Sequence, residues 1–407
     1  MSSWINATLG DLVEFQRGFD LPVGERQAGK FPVIASTGPV GTHNTFKVRG
    51  PGVVIGRSGS IGGGQFIDCD FWPLNTTLWV KDFKGNDPRF AFYFIKGLDL
   101  STFNVGSGVP TLNRNHIHPI AVRFPSDVDE QRAIAGVLGA LDDKIEQNQR
   151  TAWALERLAR AIFRAWFVDF EPVKAKAAGA TAFPSMPQPI FDALPTHFID
   201  SAIGPVPEGW EVKAIGYVVT TKGGGTPSTK NPEYWDGGEH CWATPKDMSH
   251  LSHPVLLDTE RRITDAGVNA ISSGILPAGT VLMSSRAPVG YLAIAGVPTA
   301  INQGFIAMVC DGPLPPTYVL NWAFTSMDTI KAHASGTTFP EISKKNFSPL
   351  PVVVPTPDIL AAYQQAADPL FELLTACVKE CDQLAQMRDY LLSKLLSGDV
   401  RVEVANA

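Results

Sequence analysis

Residues 134–166 read IAGVLGALDDKIEQNQRTAWALERLARAIFRAW. Ile134, Leu138, Leu141, Ile145, Asn148, Ala152, Leu155, Ala159, Ile162 and Trp166 fall at alternating spacings of four and three. Apolar residues that recur every 3.5 positions keep one stripe of a helix facing a partner helix, so this stretch predicts a coiled-coil seam. No proline interrupts the chain between Pro125 and Pro172. Ser126 is the expected N-cap, with Asp129 three residues later as a capping-box variant. Asn148 lies on the seam, where a buried amide fixes register or partner choice. At ~1.5 Å rise per residue, roughly 40 residues make a rod of about 60 Å.

The seam has a counterpart. Leu370, Leu374, Cys377, Cys381, Leu384, Arg388, Leu391 and Leu395 repeat the spacing, each 229 positions after a seam residue from Leu141 to Trp166. Asp368 and Pro369 read as the N-cap and first position of this second helix, and Gly398 as its stop. The two seams are expected to pack antiparallel, with a globular unit at each end of the rod.

The flanking sequence is also duplicated. Trp4, Leu9, Gly10, Leu12, Val13 and Gly18 recur 206 positions later as Trp210, Ile215, Gly216, Val218, Val219 and Gly224. Pro110, Leu112, Ile117, Pro119, Ile120 and Pro125 recur 230 positions later as Pro340, Ile342, Phe347, Pro349, Leu350 and Pro355. Between these anchors run short apolar strands punctuated by Gly, Pro and Asn, among them Phe31–Ser36, Gly52–Gly56 and Leu78–Val80. Pro88–Gly97 reads as a short helix. The predicted order is a globular unit (1–125), a central helix (126–170), a Pro- and Ala-rich linker (171–209) that is extended and packed in places, a second unit (210–356) and a C-terminal helix (357–407). The fold class is α+β: two mixed α/β domains with irregular β-rich cores, separated by two long antiparallel coiled-coil helices in an internal pseudo-two-fold repeat.

Composition supports two real cores, with 44% hydrophobic and 18% charged residues. No stretch reaches the ~18 apolar residues of a spanning helix, and the start lacks the basic end and apolar run of a signal peptide. The chain is expected to be cytoplasmic. Its five cysteines are scattered and form no CxxC pair, and Cys241 with His240, His250 and His253 fits no standard zinc spacing. No metal is expected. The net charge of −6 argues against a polyanionic partner, but its distribution softens this. The first unit through Ser126 carries +3 (12 Lys+Arg, 9 Asp+Glu) and the second −1 (10 and 11), so the helices and linker hold −8.

No catalytic constellation emerges. The glycine-dense Gly56–Gly64 lacks the Lys and Ser/Thr of a phosphate loop and reads as a turn between strands. Asn231–Tyr234 (NPEY) lacks the second proline of the amino-methyltransferase motif it faintly resembles. The expectation is a chain without catalytic residues. What remains is a set of polar and basic loops. In the first unit they hold Arg57, Ser58, Ser60, Asn75, Thr76, Asn113, Arg114, Asn115 and His116. In the second they hold Lys222, Thr226, Ser228, Ser284, Ser285, Arg286, Asn302, Gln303, Thr337, Thr338, Lys344 and Lys345. Arg and Lys bond guanine edges and Asn or Gln adenine edges, while Ser, Thr and backbone amides hold phosphates. Any solvated loop contains such residues. The case for DNA is that Arg57 and Arg286 follow corresponding strands, as do Asn75 and Asn302.

Four segments together resemble the specificity subunits of type I restriction-modification enzymes. They are Leu141–Val173 (LDDKIEQNQRTAWALERLARAIFRAWFVDFEPV), Gly204–Trp210 (GPVPEGW), Lys222–Pro227 (KGGGTP) and Leu391–Val402 (LLSKLLSGDVRV). The order of unit, helix, unit, helix covers nearly the whole chain. The resemblance implies two target recognition domains, each reading one half of a bipartite, asymmetric site in double-stranded DNA, and paired helices that act as a ruler. It implies two methyltransferase subunits carrying S-adenosylmethionine and two motor-nuclease subunits using ATP and Mg, with no cofactor in this chain. Half-sites read from one face of a duplex lie about 34–36 Å apart, a separation that a rod of about 60 Å spans. The competing expectation is a non-enzymatic coiled-coil scaffold that assembles partners without reading bases. Acidic charge favours the scaffold; unlike loops on a shared frame favour recognition.

Overall fold

Gly52–Gly56 (GVVIG) is a strand buried at every position, as befits a strand covered on both faces. It lies inside a four-stranded antiparallel sheet ordered Glu14–Arg17, Thr77–Asp82, Gly52–Gly56, Gly62–Ile67. A second sheet joins Gly38–His43, Phe31–Ala35 and Trp72–Pro73, the last pair parallel. Strands Trp4–Thr8 and Ala121–Pro125 pair antiparallel. Helix Pro88–Lys96 forms as predicted: the Asp87 side chain accepts from the Phe90 amide at 2.8 Å and Pro88 opens the first turn. Its Phe90, Tyr93, Phe94 and Ile95 join Phe15, Val53, Ile55 and Leu78 in the core. These elements belong to one of two compact units in this computed structural model, which describes residues 4–184, 186–336 and 340–402. The first unit holds the chain through Glu146 together with the part from Cys381 onward; the second runs from Gln147 to Glu380.

The second unit has the same wiring. Its larger sheet is ordered Thr220–Gly223, Phe305–Val309, Val281–Ser284, Leu292–Ala295, Val255–Leu256, the first four strands matching the four of the first unit. Its smaller sheet joins Arg262–Ile263, His240–Ala243 and Thr299–Ile301, again with the last pair parallel. Glu211–Ala214 pairs antiparallel with Pro351–Val354. The repeated residues do the same work in both units. Leu9 N donates to Ile120 O at 2.9 Å, and Ile215 N to Leu350 O at 2.8 Å. A Cβ on Gly18 would lie 2.1 Å from Leu74 O, and one on Gly224 2.1 Å from Ile301 O. Only glycine lets the two backbones approach so closely.

Each long helix contributes one part to each unit. Within the first unit Arg388 meets Asp142, and Cys381 meets the Ile145 carbonyl. Ile134 and Leu138 share a core with Leu395. Residue numbers fall on one helix as they rise on the other, so the pairing is antiparallel. Within the second unit Asn148 donates to Glu380 at 2.7 Å, and Ala152 packs with Leu374 and Cys377. No seam residue is exposed. Two boundary expectations are corrected. The first helix is Val128–Phe167, and the carboxylate of Asp127 just before it accepts from the Asp129 amide at 2.9 Å. The second is Pro357–Ser397, with Pro369 inside it. The missing Pro369 amide leaves only the carbonyl four residues back, at exposed Gln365, without its usual donor. That position is open to solvent, while buried Ile359, Leu360, Tyr363 and Ala367 anchor the first turns.

The linker is packed, as expected in places, and carries more regular structure than an extended segment. It forms helices Glu171–Ala177 and Gln188–Ala193 and a two-stranded pairing of Phe198–Ile199 with Val206–Pro207. Val173, Phe191, Leu194 and Val206 are buried, and the Lys176 ammonium donates to the carbonyls of Asp192 and Leu194. Prolines here start helices instead of stiffening an open chain. Among the described residues, no helix is long and apolar enough to cross a membrane.

Candidate nucleic-acid interface

In the first unit the chain leaves Gly56 into a turn that three other segments hold. Arg57 N and Ser58 N both donate to Thr76 O, at 2.9 and 3.1 Å. Leu112 N donates to Arg57 O at 2.8 Å and Gly59 N to Pro110 O at 3.0 Å. Residues 57–60, 75–76 and 110–116, separate in sequence, therefore form one surface at the end of the larger sheet. Asn113 starts the single-turn helix Arg114–Ile117, its side chain accepting from the Asn115 amide at 3.0 Å. Arg114, Asn115 and His116 are exposed on that turn, and Ser60 is exposed beside it. Arg57, Ser58, Asn75 and Thr76 are half-buried. The Arg57 guanidinium reaches Asn75 O at 3.1 Å, so it is held against the loop it was predicted to accompany.

Sequence reasoning missed three supporting groups. The Asn75 amide donates to Asp20, which also pairs with Arg17 at 3.5 Å. His118 accepts from the Phe15 amide through Nε2 at 3.0 Å and stacks on the Phe15 ring. Burial, with the nearby Arg114 charge, holds the His118 imidazole below its usual range, which keeps it a neutral acceptor. The adjacency of Arg17 to the repeated Gly18 was the available signal for the first of these; nothing in the pattern marked His118 over His116.

The second unit assembles the corresponding surface. Ser285 N donates to Gly304 O at 2.8 Å and Ile342 N to Ser285 O at 3.0 Å. By these bonds Ser285 stands where Arg57 stands, and Arg286 where Ser58 stands, one residue away from the correspondence read from sequence. Ser284 and Ser285, predicted as contacts, are 0% and 3% exposed and cannot touch a ligand. Ser284 shapes the turn instead: its hydroxyl donates to Pro288 O and accepts from the amides of Gly290 and Tyr291. Asn302 is half-buried and accepts from Gly304 N. Arg286 faces Glu341 at 3.8 Å. Lys222, Thr226, Ser228, Gln303, Lys344 and Lys345 are exposed, and Thr226 donates to Gln303. Lys344 and Lys345 open the single-turn helix Lys344–Phe347, capped by Ser343, the counterpart of Arg114–Ile117. Thr337 and Thr338 lie outside the described residues.

Each surface thus presents two to three exposed cationic or amide side chains on a capped turn, with backbone-pinned loops beside it. Such a surface can hold phosphates and offer bidentate groups to base edges. The side chains at matched positions differ: Arg114, Asn115 and His116 in one unit, Lys344, Lys345 and Asn346 in the other.

A family model described as the type I restriction modification DNA specificity domain matches residues 1–157 and again 207–378. The specificity subunit of the type I restriction enzyme MjaIX from Methanocaldococcus jannaschii is 39% identical over 165 residues, 40% of this chain and 38% of that protein. The HindI specificity subunit from Haemophilus influenzae is 25% identical over 391 residues, 83% of this chain and 84% of that protein. The crystal structure of a type I restriction-modification S subunit from M. genitalium shares the fold, with a TM-score of 0.62 at 16% identity over 97% of this chain and 96% of the other.

Proposed function

Because the chain belongs to the family of type I restriction-modification specificity subunits, we propose that it recognises a bipartite, asymmetric DNA sequence, each unit reading one half. The observation that carries this reading is one wiring diagram built twice with unlike side chains on matched turns, Arg114–His116 against Lys344–Asn346. A pure scaffold has no need to vary one pair of turns on an invariant frame. Base contacts come from Arg114, Asn115, His116, Lys222, Gln303, Lys344 and Lys345, with Arg57 and Arg286 released from Asn75 O and Glu341 when a duplex arrives. Ser58, Ser60, Thr76, Thr226 and Ser228 serve phosphates.

The paired helices set the spacing between the half-sites, with Asn148–Glu380 and Asp142–Arg388 fixing their register. They also dock two methyltransferase subunits. Supporting this is a second row at 4-3-4 spacing on the first helix, Ala154, Leu158, Ala161 and Ala165, which lies outside the seam and is largely exposed. The chain itself carries no catalytic group. S-adenosylmethionine belongs to the methyltransferase subunits, and ATP and Mg to two motor-nuclease subunits.

The test is methylation mapping in a host carrying the intact operon, with wild type and with Arg114→Ala and Lys344→Ala separately. The reading expects a gapped motif, relaxed in one half only by each variant and in a different half by each. Equal relaxation of both halves by either variant, or no gapped motif at all, contradicts it.

A further inference from the structure

The loop from Asn104 to Thr111 (NVGSGVPT) projects from the first unit beside the surface just described, and it is held rigidly. The Asn104 carboxamide oxygen accepts from the amides of Gly106 and Thr111, both at 2.9 Å. Val105 N donates to Thr111 O at 2.9 Å, and the Thr111 hydroxyl donates to Val109 O at 3.0 Å. Gly59 N to Pro110 O ties the loop to the Arg57 turn, and Leu112 N to Arg57 O ties its base. On this pinned loop Val105 and Val109 are 50% and 59% exposed. A single exposed apolar residue needs no explanation. Two β-branched residues on one closed loop, between Arg57 and the Arg114–His116 turn, are a different matter: they add nothing to the core of the unit. Their χ1 stiffness means little freedom is lost on contact.

A polyanion drawn to Arg57, Arg114 and His116 brings its groove edge against this loop. The one apolar group that a duplex offers in the major groove is the 5-methyl of thymine. We propose that Val105 and Val109 form an apolar reading tip that contacts a thymine 5-methyl in the half-site read by the first unit. This rests on the DNA-recognition reading above and adds to it a base and a chemical group.

The experiment uses the complex with its methyltransferase subunits and duplexes carrying the methylation-mapped site, compared by fluorescence anisotropy at one fixed salt concentration. Each thymine of the first unit's half-site is replaced in turn by deoxyuridine, which removes only the methyl. The inference expects at least one position where wild type loses about fourfold in affinity, the worth of one buried methyl. It expects Val105→Ala/Val109→Ala to bind thymine and deoxyuridine duplexes equally there. Val105→Thr/Val109→Thr, which keeps a γ-methyl at each position, should recover part of the discrimination. Far-ultraviolet circular dichroism and the unfolding midpoint of the variants should match wild type, since both side chains are exposed. No deoxyuridine effect at any position, a half-site without thymine, or a full effect that persists in the alanine variant overturns the inference. In each of those cases the recognition reading stands as long as the mapped duplex outcompetes a scrambled one; if it does not, that reading itself fails.

Discussion

Asp142 is the point where a recognition unit is fastened to both long helices. Its Oδ1 accepts from Arg388 Nη1 and its Oδ2 from the Tyr93 hydroxyl, both at 2.7 Å. Tyr93 is 1% exposed, and burial together with Asp142 holds its phenol well above the usual range, so it donates at every working pH. Asp142→Ala removes both acceptors. A hydrogen bond to a charged group contributes about 1.5–3 kcal/mol. Side-chain exposures of 18% for Arg388 and 26% for Asp142 let water replace part of the ion pair. The net expectation is about 2–3 kcal/mol, most of it from the stranded Tyr93 hydroxyl, since Arg388 keeps Asp389 as a partner at 2.8 Å. Local opening free energies are read by hydrogen exchange, where this loss means roughly 30- to 150-fold faster exchange. The acceleration should appear in peptides 134–146 and 384–397 of the first unit. Peptides 359–375 of the second unit serve as the internal reference and should not change. Tyr93→Phe should cost about 1 kcal/mol alone but recover part of the loss on top of Asp142→Ala, because it removes the stranded hydroxyl. An acceleration under about threefold, or an equal one in both units, refutes the fastening role of Asp142.

His118 makes the first unit acid-sensitive. Its folded pKa is depressed, so its contribution to stability is present above the unfolded value of about 6.5 and is lost as pH falls through the folded value. His118→Gln keeps an acceptor for Phe15 N that does not titrate. Below about pH 6.5 the unfolding midpoint of wild type should fall more steeply than that of His118→Gln, and superimposable pH profiles would contradict this. Lys344→Ala/Lys345→Ala should lose about 1–3 kcal/mol of discrimination per contact against wrong bases in the second unit's half-site alone; an equal weakening on every sequence removes them from the base contacts. Leu158→Glu, at an exposed position of the second helical row, should change stability by less than about 0.5 kcal/mol while weakening association with the methyltransferase subunit at least tenfold in sedimentation analysis. Undiminished association rules that row out as the docking face.

What was legible in the sequence is what repeats or has a period. The seam residues stand out because a helix must keep Leu138, Ala152 and Leu374 on one side, and the anchors Trp4/Trp210 and Gly18/Gly224 because two copies face the same steric demand. Local chemistry misled where tertiary packing outweighed it. Asp368 and Pro369 look like a helix start, yet Tyr363 and Ala367 are buried deeply enough to carry the helix through proline. Asp368 instead accepts from the Thr317 hydroxyl at 2.7 Å. Seven prolines in the linker suggested a chain extended and packed only in places, but Phe191 and Leu194 supply a small core. The loop residues were the least legible. Ser284 and Ser285 share the composition of a solvated loop, and only the backbone bonds from Ser285 to Gly304 and Ile342 reveal that they point inward. The same bonds displace Arg286 by one position relative to Arg57, which alternation of side chains along an extended segment turns into a different face.

The central claim is that two units of one chain read two unlike half-sites together. It is tested most directly by competition binding of the methyltransferase complex to four duplexes at one salt concentration: both mapped half-sites, each half-site alone with the other scrambled, and both scrambled. The account predicts that either half alone is weaker than the pair by at least tenfold and that each still binds more tightly than the fully scrambled duplex. Four equal affinities, or a single half-site that binds as tightly as the pair, would contradict it.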